Sequence, residues 1–316
     1  MKVDEYDIIR AITGRFPKLP RGYTQIGDDV ALVQNPGKGL VLKCDMLVGK
    51  TDVPPGMGWR QAARKAVAMC VSDFAAKGVR PDSFMVSVGV PRGTKAGGVR
   101  TLAEGFHDAA GEWSLKLVGG DTSEAEGLVI DCVMVGFADR IVRRDTAKAG
   151  EHVVVTGRFG KPPAGLRILM GGARAGPGFK REAVSSVLRP EPRLEVGVAL
   201  SGSFSSSIDS SDGLAICLHT ISEMSGVGME LRTLPIAKGV VDFAARNSVP
   251  LEELVLYGGE EYEIVGTVPK RGLAAARRKA RSAGGDLLVI GETKAGGGVR
   301  FASGEEVPRK GWIHLG

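Results

Sequence analysis

The chain has 316 residues, 43% of them hydrophobic and 25% charged, with a formal net charge of +6. That is enough for two globular domains, each with its own core. No apolar run reaches the ~18 residues that cross a bilayer, and Met1-Lys2-Val3-Asp4-Glu5 lacks a signal-peptide core, so a cytoplasmic enzyme with no membrane partner is expected.

Residues 4–16 are predicted to form an amphipathic helix with Ile8, Ile9, Ile12 and Phe16 on one side, ended by Pro17 and Pro20. Ile26-Gly27-Asp28-Asp29 precedes an apolar run. An acidic pair there suits either a turn before a strand or a pair of metal ligands. Leu40 to Val48 is a predicted strand in which Leu40, Leu42 and Cys44 face one way and Val41, Lys43 and Asp45 the other. The Gly/Pro-rich stretch 49–58 reads as an irregular, mobile flap. Trp59 to Ala76 is a predicted helix, and its spacing puts Ala62, Ala66, Met69, Cys70 and Asp73 on one buried stripe. A buried carboxylate is costly unless paired, hydrogen-bonded or metal-bound, so Asp73 needs a partner.

Ser83 to Val90 is a predicted strand and 98–113 a helix. Leu115 to Val118 then leads into Gly119-Gly120-Asp121-Thr122, where two glycines would let the backbone turn and approach an anion. Ordinary turns use the same residues. A strand from Leu128 to Ala138 follows, and Ala147 to Glu151 marks the crossing between domains 1–146 and 147–316.

The second half opens with a strand at 152–157, a helix at 163–171 and a basic, glycine-rich loop at 171–182. Asp209, Ser211 and Asp212 cluster before a helix beginning near Leu214. One of them would suffice as an N-cap, and the surplus suits a metal or phosphate. Tyr257-Gly258-Gly259-Glu260-Glu261-Tyr262-Glu263 leads into a strand at 264–268. A helix at 272–283, a strand at 287–290 and a Gly-rich hairpin near 296–298 complete the α/β pattern, with Trp312 close behind.

Cys44, Cys70, Cys132 and Cys217 lie far apart without metal-ligand spacing, which predicts free thiols. His107, His152, His219 and His314 are equally scattered, so neither a zinc site nor a His-based triad has support. The basic balance favours anionic partners such as nucleotides. Arg277-Arg278-Lys279 with Arg281 reads as a solvated helix face, without the interleaved aromatics that would suggest nucleic acid. Separated Asp motifs beside Gly, Ser or Thr suggest a site with several magnesium ions bound to a polyphosphate. There is no Walker loop and no protein-kinase His-Arg-Asp, so any ATP use belongs to another architecture.

Gly27-Asp28-Asp29, Asp45-Met46-Leu47-Val48, Val71-Ser72-Asp73-Phe74-Ala75-Ala76, Gly119-Gly120-Asp121-Thr122, Ile208 to Leu214 and Gly258 to Glu263 stand in an order that resembles the thiamine-monophosphate kinases. That family lies in the superfamily of aminoimidazole ribonucleotide synthetase and selenophosphate synthetase. The resemblance implies two α/β (α+β) domains, with an N-terminal mixed sheet that pairs across a homodimer into a β-barrel. It implies ATP-dependent phosphorylation of thiamine monophosphate to thiamine diphosphate. Magnesium would fall to Asp29, Asp45, Asp73, Asp121, Asp209 and Asp212, with Asp121, Asp73 and Asp212 the most critical and no residue acting as a general base. Nucleotide contacts would fall to Gly120, Asp121, Arg144 and Ser211, and substrate contacts to Glu260, Trp312 and, where many members carry a His, Asp52. Lys43 and Cys44 stand where hydroxyl residues often precede the Asp45 equivalent. The alternatives are a superfamily enzyme with another acceptor, or a non-catalytic thiamine-phosphate binding protein.

Overall fold

The computed structural model describes residues 31–33 and 37–313. The expected N-terminal helix at 4–16, Asp28-Asp29 and His314 lie outside the described residues. β1 (Ala31–Val33) and β2 (Gly39–Val48) are followed by one helical turn, α1 (Gly49–Asp52), and the long helix α2 (Trp59–Lys77). β3 (Pro81–Val90), α3 (Ala96–Trp113), β4 (Lys116–Glu124) and β5 (Val129–Ala138) complete the first half. Among the described residues these strands form a sheet of order β1-β2-β5-β3-β4, antiparallel except for the β3/β4 pair.

The second half runs β6 (His152–Val155), α4 (Lys161–Leu169), α5 (Pro177–Leu188), α6 (Leu194–Leu200), β7 (Ser206–Asp209) and α7 (Leu214–Ser225). It continues with β8 (Gly228–Leu231), α8 (Val240–Arg246), α9 (Leu251–Val255), β9 (Ile264–Val268), α10 (Leu273–Ser282), β10 (Leu288–Lys294) and β11 (Val299–Phe301). Its sheet has the order β11-β8-β10-β6-β9-β7 among the described residues. The mixed α/β architecture anticipated from the sequence is present, built on two sheets.

α2 joins the two halves. Sequence spacing suggested one buried stripe, but almost every side chain from Ala62 to Lys77 is buried, Arg64, Lys65 and Lys77 included. The reason is tertiary: α2 packs on β2 and β5 on one side and on α3, α6 and β7 on others. Its small residues permit that closeness. At Gly197 of α6, a Cβ would lie 2.0 Å from the Ala75 carbonyl oxygen, so only glycine fits. The buried cations are all satisfied. Arg64 forks onto Glu112 and donates to the Pro190 carbonyl, and Lys77 donates to the Ser207 carbonyl at 2.7 Å. One continuous core holds Phe74, Phe84 and Leu47 together with Leu200, Phe204 and Ile264 of the second half.

Several expectations need correction. Gly119-Gly120 do not turn. β4 runs straight through them, and Gly120 is small because a Cβ there would lie 2.2 Å from the Val86 carbonyl oxygen of the neighbouring strand. The stretch 49–58 begins with the regular turn α1, because the Asp52 carboxylate accepts the Val48 backbone N–H at 2.7 Å and closes it. The basic stretch 171–182 is a loop only to Gly176, where Pro177 starts α5 with its preset φ. Residues 296–298 do not connect a hairpin, since β11 pairs in parallel with β8 rather than with β10.

Candidate active site

Alternation along β2 turns Val41, Lys43, Asp45 and Leu47 toward α2, and Cys44 and Met46 to the opposite face. Lys43 Nζ lies 2.8 Å from Asp73 Oδ2 on α2 and 3.7 Å from Asp45 Oδ2. The partner that buried Asp73 required is therefore Lys43. Asp209, at the end of β7, is also buried and accepts a hydrogen bond from Ser72 Oγ at 2.9 Å. The charges of Asp209 and Asp45 both act on Asp73, which places three carboxylates from three elements in one region. Burial raises the Asp45 carboxyl above the usual carboxylate range. Asp209 and Asp52 push it further, against the pull of Lys43. Burial alone would lower Lys43, but Asp73 and Asp45 outweigh it and hold the ammonium firmly protonated.

The loop after β7 borders this cluster. α7 has no side-chain cap: its N-cap is Gly213, at φ 119°. Asp209 lies within β7 and is not the cap of this helix. The charges of Asp209, Asp212 and Arg144 all reach the Cys217 thiol, which burial raises above its ordinary pKa. Backbone bonds then bring in the last motif. Glu260 N–H donates to the Ser211 carbonyl at 2.7 Å, and Tyr262 N–H to that of Ser210 at 2.9 Å. Trp312 N–H donates to the Asp212 carbonyl at 2.9 Å, while its side chain stays half exposed. Gly311 makes that approach possible, since a Cβ there would lie 2.3 Å from the same oxygen. Glu260 and Tyr262 adopt φ of 68° and 52°, left-handed values that cost non-glycine residues roughly 1–2 kcal/mol each. The strain is held by the surrounding bonds and marks the loop as built for a task.

Lys65 ties the flap to this loop. Its ammonium, 1% exposed, donates to the Asp52 carbonyl at 2.9 Å and to Glu260 at 2.7 Å. Beyond Glu260 the site opens into a polar cleft of about 800 Å³ bordered by Arg158, Lys161, Arg193 and Glu261.

The structure thus gathers Asp45, Asp73, Asp209, Asp212, Arg144, Ser211, Glu260, Trp312 and Asp52 into one region. It does not bring Gly120 and Asp121 there. The cross-strand row Met46–Asp131–Ser87–Asp121 lies on the face of the first sheet opposite Lys43 and Asp45. Asp29 lies outside the described residues. Four residues had no role assigned from sequence. They are Lys43, Lys65, Ser72 and Tyr262, whose buried phenol is raised first by burial and then by Glu260, Asp45, Asp209 and Asp52. A signal existed for two of them. The pair Arg64-Lys65 interrupts a run of small residues, Ala62-Ala63 before it and Ala66 to Ala68 after, and Tyr262 sits within a run of carboxylates.

The donor set suits a hard divalent cation. Asp73 and Asp209 are less than a tenth exposed, and among the described ion pairs Lys43 is the ammonium that Asp45 and Asp73 face. Among the described residues, no three His, Cys, Asp or Glu side chains already stand in a metal-binding arrangement. An ammonium stands among them instead.

Residues 27–138 match the family described as AIR synthase related protein, N-terminal domain. The chain is 34% identical to the thiamine-monophosphate kinase of Nitrosopumilus maritimus over 99% of both chains. It is 37% identical to that of Pyrococcus abyssi over 92% of this chain and 90% of the relative. The chain belongs to the thiamine-monophosphate kinase family. It is accordingly a phosphotransferase. The fold agrees: a solved structure described as AaThiL complexed with AMPPCP and TMP superimposes with a TM-score of 0.88 at 28% identity, covering 99% of each chain. A second, of thiamine-monophosphate kinase from Aquifex aeolicus, gives 0.81 at 26% identity, covering 96% of this chain and 97% of the other. Among the described residues, no helix is long and apolar enough to cross a membrane. Within the thiamine-monophosphate kinase frame, the Asp52 carboxylate is occupied in closing α1, and its carbonyl in holding Lys65.

Proposed function

We propose that this chain transfers the γ-phosphoryl group of ATP to thiamine monophosphate, giving thiamine diphosphate by in-line displacement at a multi-magnesium site in the cytoplasm. The observation that carries this is the convergence of Asp45, Asp73 and Asp209 from three separate elements, beside the loop of Asp212, on a fold shared with a relative described in complex with AMPPCP and TMP.

The acceptor is a phosphate monoester, with a second pKa of about 6. It arrives as an anion and needs no general base. The difficulty is electrostatic, because two polyanions must meet in line. Asp45, Asp73, Asp209 and Asp212, with Asp29, would hold magnesium, which neutralises and orients phosphate oxygens when bound. Arg144 adds a fixed positive charge, and Ser211 a hydroxyl for the nucleotide. Glu260 and Trp312 line the acceptor side, and the strained loop keeps the Glu260 carboxylate in place. Asp52 serves from the flap, shaping α1 so that the segment can close over the phosphates and exclude water.

Gly120 and Asp121 sit three strands from Asp45, on the order of 14 Å at normal strand spacing. They join the reaction through a second copy. The outer face of the first sheet carries exposed Met46, Met85 and Phe137, with Leu117 and Val118 on its edge strand β4. Such an apolar patch, beside an edge strand with one neighbour among the described residues, favours a homodimer whose sheets close into a barrel. The deciding experiment incubates the protein with ATP, magnesium and thiamine monophosphate, and follows ADP release together with the mass of thiamine diphosphate. A folded, ATP-binding protein that makes no diphosphate overturns the proposal.

A further inference from the structure

The Lys43 ammonium is placed where a cation is wanted. It reaches two carboxylates of the site at 2.8 Å and 3.7 Å, and its side chain is 20% exposed against 6% for Asp73. β2 fixes it there, because Lys43 and Asp45 are two residues apart on one face of a strand paired with β5 along its whole length. The neighbouring buried ammonium, Lys65, is directed elsewhere, to Asp52 and Glu260. A divalent ion taking Asp73 as a ligand at the ~2.1 Å typical of magnesium would come close to this ammonium, with like charges in a site partly shielded from water.

We propose that Lys43 is a resident cation of the carboxylate site, holding one cation position permanently so that the chain takes up fewer divalent ions there, or takes them up more weakly, than the carboxylates alone would. This rests on Asp45, Asp73 and Asp209 forming the divalent-ion site of the proposed kinase. Lys43 acts through Asp73 and Asp45, so it is a positioning residue rather than a group that touches the reacting atoms. Two consequences follow. The carboxylates stay packed when no divalent ion is bound, because one of their charges is always matched. Divalent ions are directed away from the Lys43–Asp73 pair and toward the Asp209 end of the cluster, where the hydrogen-bond partner is the neutral Ser72 hydroxyl.

The test is a manganese titration of the full chain, with free Mn2+ followed by electron paramagnetic resonance, both alone and with a non-hydrolysable ATP analogue. Wild type, Lys43→Met, Lys43→Gln and Lys43→Arg are compared. The expected result is that both neutral variants bind an additional Mn2+ per chain, or bind Mn2+ at least about ten-fold more tightly, while Lys43→Arg keeps wild-type stoichiometry. The neutral variants should also melt earlier than wild type without divalent ion and recover when Mn2+ is added. Neutral variants that fold and titrate like wild type overturn the proposal. So does an arginine variant that gains the same ion, since the effect would then follow shape rather than charge. Thiamine diphosphate formation is measured in parallel on wild type. An added Mn2+ in the neutral variants without diphosphate formation would sink the kinase proposal and leave the Lys43 assignment standing. Diphosphate formation with unchanged Mn2+ binding would do the reverse.

Discussion

Replacing Lys65 by methionine removes a buried charge of similar length, so little cavity is created and the loss is electrostatic. Lys65 makes two hydrogen bonds, one to the Asp52 carbonyl and one to the Glu260 carboxylate. A hydrogen bond involving a charged group contributes about 1.5–3 kcal/mol. Stripping one partner from a buried pair costs about 3–5 kcal/mol. Glu260 is 23% exposed, so water recovers part of its loss. The expected destabilisation is therefore about 2–3 kcal/mol. Lys65→Met, Glu260→Gln and the double variant, compared by urea unfolding, form a cycle that isolates the pair. Coupling of about 1–2 kcal/mol is expected, and less than about 0.5 kcal/mol would refute a Lys65–Glu260 link across the two halves. The functional counterpart is a split between constants: Km for thiamine monophosphate should rise more than kcat falls, because Glu260 and the flap both lose their anchor.

Without divalent ions, the Asp45 carboxyl has a folded pKa above its unfolded value, so the fold favours its neutral form. That contribution is fully present below the unfolded value of ~3.9 and is lost as pH rises through the folded pKa. Thermal stability in chelator should thus decline as pH rises above ~3.9, and Asp45→Asn should flatten the decline; an unchanged slope would remove Asp45 as its source. The Cys44 thiol is pushed up to about 11, first by burial and then by its hydrogen bond to Asp131 at 3.1 Å. At pH 8 its alkylation should run roughly a hundred-fold slower than in the unfolded chain, with Asp131→Asn speeding it. Equal rates in folded and unfolded protein would contradict that environment. Phe137→Lys, on the outer face of the first sheet, should shift sedimentation toward monomer, whereas a variant sedimenting as wild type would remove that face from any dimer contact.

The grouping along β2 was legible, Lys43 with Asp45 and Leu42 with Cys44, because a strand alternates by two; which group faces α2 was not, since Val41-Leu42 and Met46-Leu47 are apolar on both faces. Asp73 was legible as a carboxylate in need of a partner, because its helix is too apolar there to expose it. That its partner is Lys43 was not, since the pair joins a strand to a helix across the core and leaves no local spacing to read. The extended backbone at Gly120 was not legible for a related reason. Glycine serves a turn and a close strand contact equally, and only the neighbouring Val86 carbonyl distinguishes them. The helix at Pro177 was hidden by a glycine- and charge-rich sequence whose buried residues are few, Ala183 and Val187. Lys65 and Tyr262 escaped because each joins motifs far apart in sequence.

The bond from Trp312 N–H to the Asp212 carbonyl has a consequence for a shortened chain. Among the described residues, Phe301 ends the last strand of either sheet. A chain cut between Val307 and Gly311 would keep both sheets and the buried Val307, yet leave the loop carrying Asp212 without that latch. Under the proposed kinase reading, truncation in that short interval would yield a folded but idle protein.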